Sequence, residues 1–443
     1  MIPNDLNAYL MPFSANREFK SNPRLIKGGK GMMLKSADGR DVIDGMSGLW
    51  CVNVGHGREE IANAIHAQAL ELDYVPSYQV AHTKAFELAN RLLDIMPQGG
   101  EKNSQKMTNV FFANSGSESV ESALKLAMAY HHVNGEGHRT RIIGRARGFH
   151  GSGFAGMTVG GIGPNKMQFG NLLPEVDHLP HTLNIGENAF SKGQPPWGAH
   201  LADELENIVQ LHGPAAIAAV IVEPMAGAGG VIPPPKGYLE KLRKICTKHG
   251  ILLIFDEVIT AFGRAGAATA SEKIGIQPDL ICLAKGITNG TVPMGAVVMS
   301  EEIYQTLMTG PENAIEFFHG YTYSGHPVAS AAGLAVLDII QKDGLFEKAA
   351  SLAPYFEEAV HSLKGMPNVI DIRNFGLAAG VELAPRDGAP GARGFDVFRA
   401  CFEQGVLSRV TGDIMAFAPA MVADKVHIDQ LVETLGDVIR VTD

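Results

Sequence analysis

Three apolar runs without polar alternation are the feature that most constrains how this chain folds. Each has the length of a strand: Ile217–Val222, Ile251–Phe255 and Leu280–Ala284. A strand without alternation is buried on both faces, so helices must cover the sheet from both sides. Gly237–His249, between the first two runs, fits such a helix. The pattern predicts an α/β fold built on a mostly parallel sheet.

Other segments extend the same architecture. Val110–Ala113, Arg141–Ile143 and Ala296–Met299 read as further strands, and Glu118–Val133 carries apolar residues at the spacing of an amphipathic helix. About ten residues separate Leu280–Ala284 from the strand at 296. That length is too short for a helical crossover, so we expect the last strand to be antiparallel.

The pattern of predicted strands and helices changes on either side of the region 59–326. Residues 1–58 read as an irregular arm with short strands, and helices followed by short strands occupy 327–443. We therefore predict a large α/β domain at 59–326. A small α+β domain at 1–58 and 327–443 would be assembled from both chain ends.

Composition excludes several classes of protein. Lys and Arg number 37 against 47 Asp and Glu, a net charge of −10 that is unfavourable for nucleic-acid binding. No apolar run approaches the roughly 18 residues of a membrane span, and the first residues lack the pattern of a secretion signal. The four cysteines form no metal or disulfide spacing. His131 and His132 read as a surface pair, not a metal site. We expect a cytoplasmic protein without a metal.

Ionisable residues follow each of the three apolar runs. Glu223, Asp256 and Lys285 stand at the carboxyl ends of the predicted strands. In an open α/β sheet the ligand lies outside these strand ends. Asp256 and Lys285 are one βαβ unit apart in the chain, so we expect both to face one crevice.

A turn between a predicted strand and a helix adds an anion site. In Asn114–Glu118, Ser115 and Glu118 fit a capping box, and Gly116 lets a bound group approach the backbone. Backbone N–H groups at the start of a helix, together with small hydroxyl residues, favour a phosphate. Ordinary helix capping would explain the same residues.

These parts match the requirements of pyridoxal 5′-phosphate. The cofactor needs an anion site, a lysine that can form an imine and a carboxylate near its ring nitrogen. Lys285 would supply the amine, with its pKa lowered by burial. Asp256 would meet the ring nitrogen, where attraction at ~3 Å and a dielectric near 20 amounts to roughly 5 kcal/mol before desolvation.

The same residues carry a family resemblance. Ile254–Val258, Leu283–Gly286 and Asn114–Glu118 occur in the order found in class III pyridoxal-phosphate aminotransferases of fold type I. The chain resembles that family over nearly its whole length. The resemblance implies a large domain with a mostly parallel seven-stranded sheet, a small α+β domain and transaminase activity.

The resemblance also implies roles for individual residues. Lys285 would form the Schiff base and Asp256 would pair with the ring nitrogen. Val258 and Phe149 would cover the two faces of the cofactor ring. Many relatives have a tyrosine at the position of Phe149. The implied cofactor-binding set is completed by Ser115, Gly116, Ser117, His150 and Glu223. Glu223 would position the cofactor, pair with an arginine or serve the structure alone.

Family members are dimers with shared active sites. By that likeness Tyr321 and Thr322 would reach the phosphate bound by the partner subunit. The sequence leaves open whether dimers pair into tetramers.

Two further segments indicate a branch within the family. Leu49–Gly55 and Ser408–Asp413 resemble the enzymes that move amino groups from ω-amino acids or amines to pyruvate. The resemblance implies that Arg409 binds the carboxylate of the acceptor and that Trp50 lines the pocket. An arginine offers a bidentate fork to a carboxylate. Alternatively, Arg409 would be an ordinary exposed arginine of the small domain, and Trp50 would be an aromatic residue of the core.

Several alternatives remain open at this point. The same apparatus would serve a class III enzyme that uses 2-oxoglutarate, of ornithine or 4-aminobutyrate type, or a pyridoxal-phosphate aminomutase. A nucleotide-binding regulatory protein would use the glycine-rich turn alone. The donor is not determined, and the segment 99–107 reads as a solvated loop longer than in typical relatives.

Overall fold

The computed structural model describes residues 6–97, 106–170 and 172–443, and its strands there form three sheets. In chain order the strands are β1 (Ile26–Lys30), β2 (Met33–Ser36), β3 (Asp41–Asp44), β4 (Met107–Ala113), β5 (Arg141–Arg145), β6 (Val176–Leu179), β7 (Ile217–Val222), β8 (Leu252–Asp256), β9 (Leu280–Leu283), β10 (Gly295–Ser300), β11 (Val369–Asn374), β12 (Ala379–Leu383), β13 (Val406–Leu407), β14 (Arg409–Thr411) and β15 (Ile414–Phe417).

The helices of the described ranges connect and cover these sheets. They are α1 (Asn16–Ser21), α2 (Ser47–Trp50), α3 (Glu59–Glu71), α4 (Thr83–Asp94), α5 (Gly116–Val133), α6 (Phe154–Val159), α7 (Ile185–Asn188), α8 (Glu204–His212), α9 (Tyr238–His249), α10 (Ala270–Ile274), α11 (Glu301–Leu307), α12 (Pro327–Lys342), α13 (Leu345–His361), α14 (Ala392–Glu403) and α15 (Lys425–Val441). Within the described ranges, no helix combines the length and apolar character that crossing a bilayer requires.

The central sheet has seven strands in the order β4-β10-β9-β8-β7-β5-β6. Strand β10 is antiparallel to both of its neighbours, and the other adjacent pairs are parallel. All residues of β7, β8 and β9 are buried. The predicted α/β fold with a mostly parallel seven-stranded sheet is confirmed, as is the antiparallel strand.

Alternate residues of the central strands point into two separate cores. Ile221 and Ile254 pack with Leu124 of α5 on one face. Val220 and Leu253 pack with the helices α8 and α9 on the other face. Burial of both faces is the physical reason that these strands consist of unbroken apolar runs.

The two smaller sheets draw on both ends of the chain. Strand β13 pairs in parallel with β3, so that Val406 lies opposite Ile43 in the sheet β1-β2-β3-β13. The sheet β11-β12-β15-β14 is antiparallel throughout. The domain bounds 59–326, 1–58 and 327–443 remain a prediction.

Two details depart from the sequence-based expectations. Strand β6 at the sheet edge was not predicted. His131 is not a surface residue: it is 1% exposed and its Nε2 lies 3.0 Å from the carbonyl of Ala218, whereas His132 is exposed. The predicted loop at 99–107 falls largely outside the described residues.

Candidate active site

The three predicted ionisable residues lie side by side at the carboxyl edge of the central sheet. Val222 pairs with Phe255 and Asp256 pairs with Cys282, which places Glu223, Asp256 and Lys285 at the ends of neighbouring strands. Lys285 opens a short 3₁₀ turn and has a φ of 51°. A left-handed backbone is uncommon for a residue with a side chain and is found often at functional sites.

Asp256 is a buried carboxylate fixed by two hydrogen bonds. Its Oδ1 accepts the backbone N–H of Val258 at 3.1 Å, and its Oδ2 lies 2.8 Å from Nδ1 of His150. Both Asp256 and His150 are almost fully buried. Ionised oxygens accept such bonds and cannot donate, so the arrangement holds a negative charge in place.

Lys285 carries an amine adapted to react. Burial lowers its pKa to about 8, and the positive charge of Arg409 acts in the same direction, while the negative charges of Asp256 and Glu223 oppose the shift. A lysine of ordinary pKa is almost entirely protonated at neutral pH. At a pKa near 8 a useful fraction of the amine is neutral and nucleophilic.

The turn before α5 differs in one respect from the predicted capping box. The Ser115 hydroxyl accepts the N–H of Glu118 at 3.2 Å as expected. The Glu118 carboxylate, however, accepts the N–H of Asn114 at 2.7 Å, one residue before the capping position. The carboxylate therefore braces the loop that leads into the helix.

This turn lies directly against the residues next to Asp256 and Lys285. A Cβ placed on Gly116 would lie 3.0 and 3.1 Å from the two methyl groups of Val258 and 3.6 Å from Cβ of Ala284. Only a glycine allows this close approach without displacement of Val258. The predicted anion site, amine and carboxylate thus converge on one crevice.

The loop that carries Phe149 and His150 is held on the same turn. Ser117 Oγ accepts the N–H of Ser152 at 3.0 Å. Gly151 has a φ of 99°, and a Cβ there would lie 2.7 Å from Cα of Ser117. Phe149 is half-buried and its ring meets Phe13 edge to face, with centroids 6.4 Å apart.

Glu223 anchors this loop through its carboxylate. One oxygen accepts the N–H of Phe149 at 2.9 Å and the other accepts the N–H of Gly227 at 3.0 Å. Arg145 contacts the backbone carbonyl of Glu223 and not its side chain. Burial raises the pKa of Glu223, while these N–H groups oppose the rise. The side chain of Glu223 therefore holds the loop that carries Phe149, and the predicted pairing with an arginine is made by its backbone carbonyl instead.

The two predicted substrate residues differ in their surroundings. Arg409 in β14 is half-buried, and burial lowers its pKa. Trp50 is 1% exposed, has a φ of 64° and packs in a core with Met225 and Phe375. In the single chain Trp50 therefore has the burial of a core residue, whereas Arg409 lies close enough to act on the charge of Lys285.

Tyr321 lies beside the first turns of α5 in its own chain, and Thr322 contacts a different segment. The Tyr321 hydroxyl is 3.3 Å from the carbonyl of Glu118 and 3.4 Å from Oγ of Ser122. Thr322 is exposed, and its carbonyl accepts the hydroxyl of Tyr74 at 2.9 Å.

Sequence reasoning missed Glu257, which follows Asp256 and faces away from the crevice. Its fully buried carboxylate accepts the N–H groups of Ala270 and Ser271 at 2.6 and 2.8 Å and the hydroxyl of Thr260 at 2.9 Å. These bonds fix the loop that carries Val258. Alternation along a strand would have placed Glu257 opposite Asp256, but no sequence signal reveals its partners.

Arg264 was also missed. It is fully buried, its pKa is lowered by burial to about 10, and it donates to Ser47 Oγ and Asn53 Oδ1 at 3.0 and 2.9 Å. It also donates to the carbonyls of Leu377 and Pro419. It therefore joins the segment around Trp50 to the small antiparallel sheet.

Among the described residues, no group of His, Cys, Asp and Glu could hold a metal ion.

A buried lysine and a buried carboxylate beside a helix start, at the carboxyl edge of a mostly parallel sheet, are the arrangement that a pyridoxal-phosphate enzyme of fold type I requires. The aminotransferase class III family model matches residues 14–439, and the chain belongs to this family. It is therefore a pyridoxal-phosphate-dependent transaminase.

Named relatives span the whole chain. It is 55% identical to an ω-aminotransferase of Caulobacter vibrioides, with 99% of each chain covered. It is 49% identical to a β-alanine–pyruvate aminotransferase of Pseudomonas aeruginosa, covering 98% of this chain and 96% of the relative. The crystal structure of an amine transaminase from an uncultivated Pseudomonas species, in the PLP-bound form, matches with a TM-score of 0.91 at 34% identity over all of both chains.

Proposed function

We propose that this transaminase moves an amino group from an ω-amino acid or amine to pyruvate in two half-reactions. The observation that carries the proposal is the position of Arg409, whose charge acts on Lys285 and which can receive the carboxylate of a keto acid. The names of the relatives support this branch. They include a putrescine–pyruvate aminotransferase of Pseudomonas aeruginosa, 37% identical over 96% of this chain and 92% of the relative.

The residues of the crevice fit the cofactor group by group. The turn at Ser115, Gly116 and Ser117 would hold the phosphate, and Asp256 would hold the ring nitrogen. Val258 and Phe149 would cover the ring faces. When bound, pyridoxal 5′-phosphate carries the amino group between substrates and withdraws electrons from the donor Cα.

Lys285 would act twice in this scheme. Its partly neutral amine would first hold the cofactor. Once the donor has displaced it, the amine would move a proton from the donor Cα to the C4′ atom of the cofactor. Its pKa near 8 suits both roles at neutral pH, because an effective acid–base group titrates near the working pH.

Arg409 would serve both kinds of substrate. A guanidinium forms two parallel hydrogen bonds with the carboxylate of pyruvate, and a long flexible stem lets it turn aside for a donor that has no carboxylate there. Burial lowers the pKa of Arg409 because its guanidinium is partly removed from water. An anionic partner would stabilise this charge.

A panel of donors and acceptors tests this function. β-Alanine, taurine, diamines and arylalkylamines would be assayed as donors, each with pyruvate and with 2-oxoglutarate. We expect turnover with at least one of these donors and a clear preference for pyruvate. A preference for 2-oxoglutarate would favour the class represented by a diaminobutyrate–2-oxoglutarate relative at 35% identity. Product formation with no keto acid present would favour an aminomutase.

Replacement of Arg409 by alanine should raise the KM for pyruvate about 100-fold. Loss of a charge-assisted, bidentate interaction costs about 3 kcal/mol, which corresponds to that factor. The first half-reaction with an arylalkylamine donor should keep its rate within about 3-fold, because that donor has no carboxylate for the arginine. Stopped-flow measurement of each half-reaction separates the two effects. Equal losses in both half-reactions would assign Arg409 a structural role instead.

We also propose that the enzyme is a homodimer. Segments 77–89, 110–112 and 315–325 line a groove of about 810 Å³, and several of its large apolar side chains are exposed. These are Tyr78, Phe86, Ile315 and Phe318. Contiguous exposed apolar surface of this kind marks a protein interface. A second copy seated there would bring exposed Thr322 toward the partner's phosphate turn, as the family resemblance implies.

Substitution of Phe318, which is 86% exposed, should test this interface. The Phe318→Glu variant should elute as a monomer with much reduced activity, since a buried charge without a partner opposes association. Val441→Glu, at a 79% exposed position on α15, provides the matched control and should keep the native mass. Light scattering measures the molar mass in solution, and a wild-type mass equal to four chains would indicate a tetramer. A wild-type enzyme that is a fully active monomer would contradict the proposal.

We propose a cytoplasmic location as well. The cysteines at 51, 246, 282 and 401 are free thiols, the state that a reducing compartment maintains. Fractionation of the source cells with an antibody would check this.

A further inference from the structure

The turn that carries Lys285 has a left-handed backbone at both of its ends. Lys285 has a φ of 51°, and the 3₁₀ turn that it opens ends at Asn289, which has a φ of 55°. Gly290 follows with a φ of 68° and donates its N–H to the carbonyl of Lys285 at 3.2 Å. A left-handed backbone costs free energy at a lysine, so it persists only where surrounding contacts hold it in place.

The side chain of Asn289 supplies contacts of this kind. It is 5% exposed, its Oδ1 accepts the N–H of Val54 at 2.9 Å, and its Nδ2 donates to the carbonyl of Gly55 at 2.9 Å. The two backbone groups fix the orientation of the amide, because an N–H group only donates and a carbonyl only accepts. Asn289 therefore joins the turn to two successive residues of the segment 51–55.

This segment packs against the same turn at two further points. A Cβ on Gly290 would lie 2.9 Å from Sγ of Cys51, and a Cβ on Gly286 would lie 2.8 Å from Nδ2 of Asn53. Neither position has room for a side chain unless a neighbour moves. The segment and the turn therefore form one packed unit beside Lys285.

The far side of the segment is held independently of Asn289. Oδ1 of Asn53 accepts Nη2 of buried Arg264 at 2.9 Å, and its Nδ2 donates to the carbonyl of Phe262 at 2.8 Å. The backbone carbonyl of Asn53 accepts the N–H of Met421 at 2.8 Å. The segment is thus a fixed support, and the two bonds of Asn289 attach the turn to it.

We propose that Asn289 is a positioning residue for transamination, which holds the turn in the conformation that directs the Lys285 amine into the crevice. In the proposed function, on which this role depends, that amine moves a proton at the donor Cα. Proton transfer requires close and accurate placement of the reacting groups, so a turn released from its support should slow this step. Asparagine suits the position because it tolerates a left-handed backbone and offers both a donor and an acceptor.

Hydrogen exchange tests the contact in the cofactor-free protein. In the wild type, the amide of Val54 should exchange slowly because it is buried and bonded to Asn289. Asn289→Gly keeps the freedom for a left-handed backbone but removes both bonds. Two buried backbone groups then lose their partners, so exchange in 51–55 should accelerate at least about 10-fold. A Val54 amide that exchanges in the wild type as fast as an exposed amide would overturn the proposal.

Asn368→Gly provides the matched control for the change of residue type. Asn368 also has a left-handed backbone, with a φ of 62°, and lies half-buried in the loop between α13 and β11. The substitution there introduces the same extra freedom of the unfolded chain. It should leave both the exchange of 51–55 and the rate of transamination at their wild-type values, and equal effects of the two variants would overturn the proposal.

Stopped-flow kinetics test the positioning role itself. Asn289→Gly should slow the first half-reaction about 10-fold and enlarge its isotope effect with a donor deuterated at Cα, because proton transfer becomes the slower step. The KM for pyruvate should stay within about 3-fold, since the carboxylate of pyruvate would meet Arg409 instead. Lower thermal stability with an unchanged half-reaction rate and isotope effect would assign Asn289 a structural role and overturn the proposal.

The outcomes are separable from failure of the proposed function. A wild-type protein that transfers no amino group from any donor of the panel would contradict the function, whereas an active wild type with unchanged kinetics in Asn289→Gly would contradict the role of Asn289 alone. If Asn289→Gly does not fold, Asn289→Ser takes its place, because a serine is too short to bridge Val54 and Gly55. A wild-type half-reaction rate and isotope effect in that variant would overturn the proposal.

Discussion

Replacement of Lys285 by alanine is expected to lower transamination by at least about 10⁴-fold and to remove the absorbance band of the protonated Schiff base between this lysine and the cofactor. Two functions are lost together, the covalent hold on the cofactor and the proton transfer at the donor Cα. Absorbance spectra and steady-state rates measure the two losses. Lys273→Ala is the matched control, because burial also lowers the pKa of that lysine but its amine donates to the carbonyl of Ala265. A Lys285→Ala enzyme that keeps this absorbance band and the wild-type rate would contradict the assignment of Lys285 as the catalytic amine.

Small amines should partly restore the Lys285→Ala variant. An amine added from solution can occupy the space of the missing side chain and move the proton in its place. The rate should rise with the concentration of the neutral amine, while a lysine needed for structure alone would not be rescued in this way.

The pKa of Lys285 also predicts the stability of the cofactor-free protein. The folded pKa is about 8, below the ordinary 10.5, so the unfolded chain binds more protons between these values. The free energy of unfolding should therefore rise with pH from about 8 to 10.5, and the penalty is complete below pH 8. Lys285→Met should stabilise the cofactor-free protein by about 1 to 3 kcal/mol at pH 7 and by little above pH 10.5. Denaturant titrations at several pH values would check this.

The sheet was predictable where burial leaves its mark on composition. Ile217–Val222 and Leu280–Leu283 are covered on both faces, so their sequences contain no polar residue. Strand β6 was missed because it lies at the sheet edge and has the sequence Val-Asp-His-Leu. There Asp177 pairs with Arg141 and His178 with a backbone carbonyl, which are tertiary contacts that no periodicity reveals.

The site was predictable only in part, for a related reason. Glu223, Asp256 and Lys285 follow strands that pair in a regular register, and regular pairing brings their ends together. The contacts of His150 with Asp256 and of Phe149 with Glu223 join segments more than 70 residues apart through an irregular loop. Loop geometry is set by contacts such as Gly151 against Ser117, and the sequence specifies none of these partners.

Trp50 illustrates the limit of reasoning from residue type. A tryptophan beside a catalytic crevice can line the pocket or fill the core. The amino-acid sequence does not distinguish these two roles. The left-handed backbone of Trp50 turns its ring into a core with Met225 and Phe375. Which role dominates depends on the backbone conformation of Ser47–Trp50, which buried Arg264 fixes through Ser47.

Replacement of Asp256 by asparagine, which changes size and shape little, should lower kcat about 70-fold. Attraction between a carboxylate and a protonated ring nitrogen at ~3 Å amounts to roughly 5 kcal/mol at a dielectric near 20. If desolvation offsets half of that, the remainder still corresponds to a factor of about 70. The substitution should also lower the pH at which the bound cofactor loses the proton of its ring nitrogen, which absorbance spectra would follow.

The hydrogen bonds of Asp256 make this variant a sharper test than a change of charge alone. Asparagine offers a single acceptor oxygen, yet both His150 and Val258 donate to the native carboxylate. The amide nitrogen must then face one of these two groups, so one of the native hydrogen bonds is lost. We therefore expect Asp256→Asn to loosen the orientation of this side chain as well as to remove its charge. Asp256→Glu keeps the charge on a longer stem and separates charge from position. An Asp256→Asn enzyme within about 3-fold of the wild-type rate would show that this carboxylate does not meet the ring nitrogen.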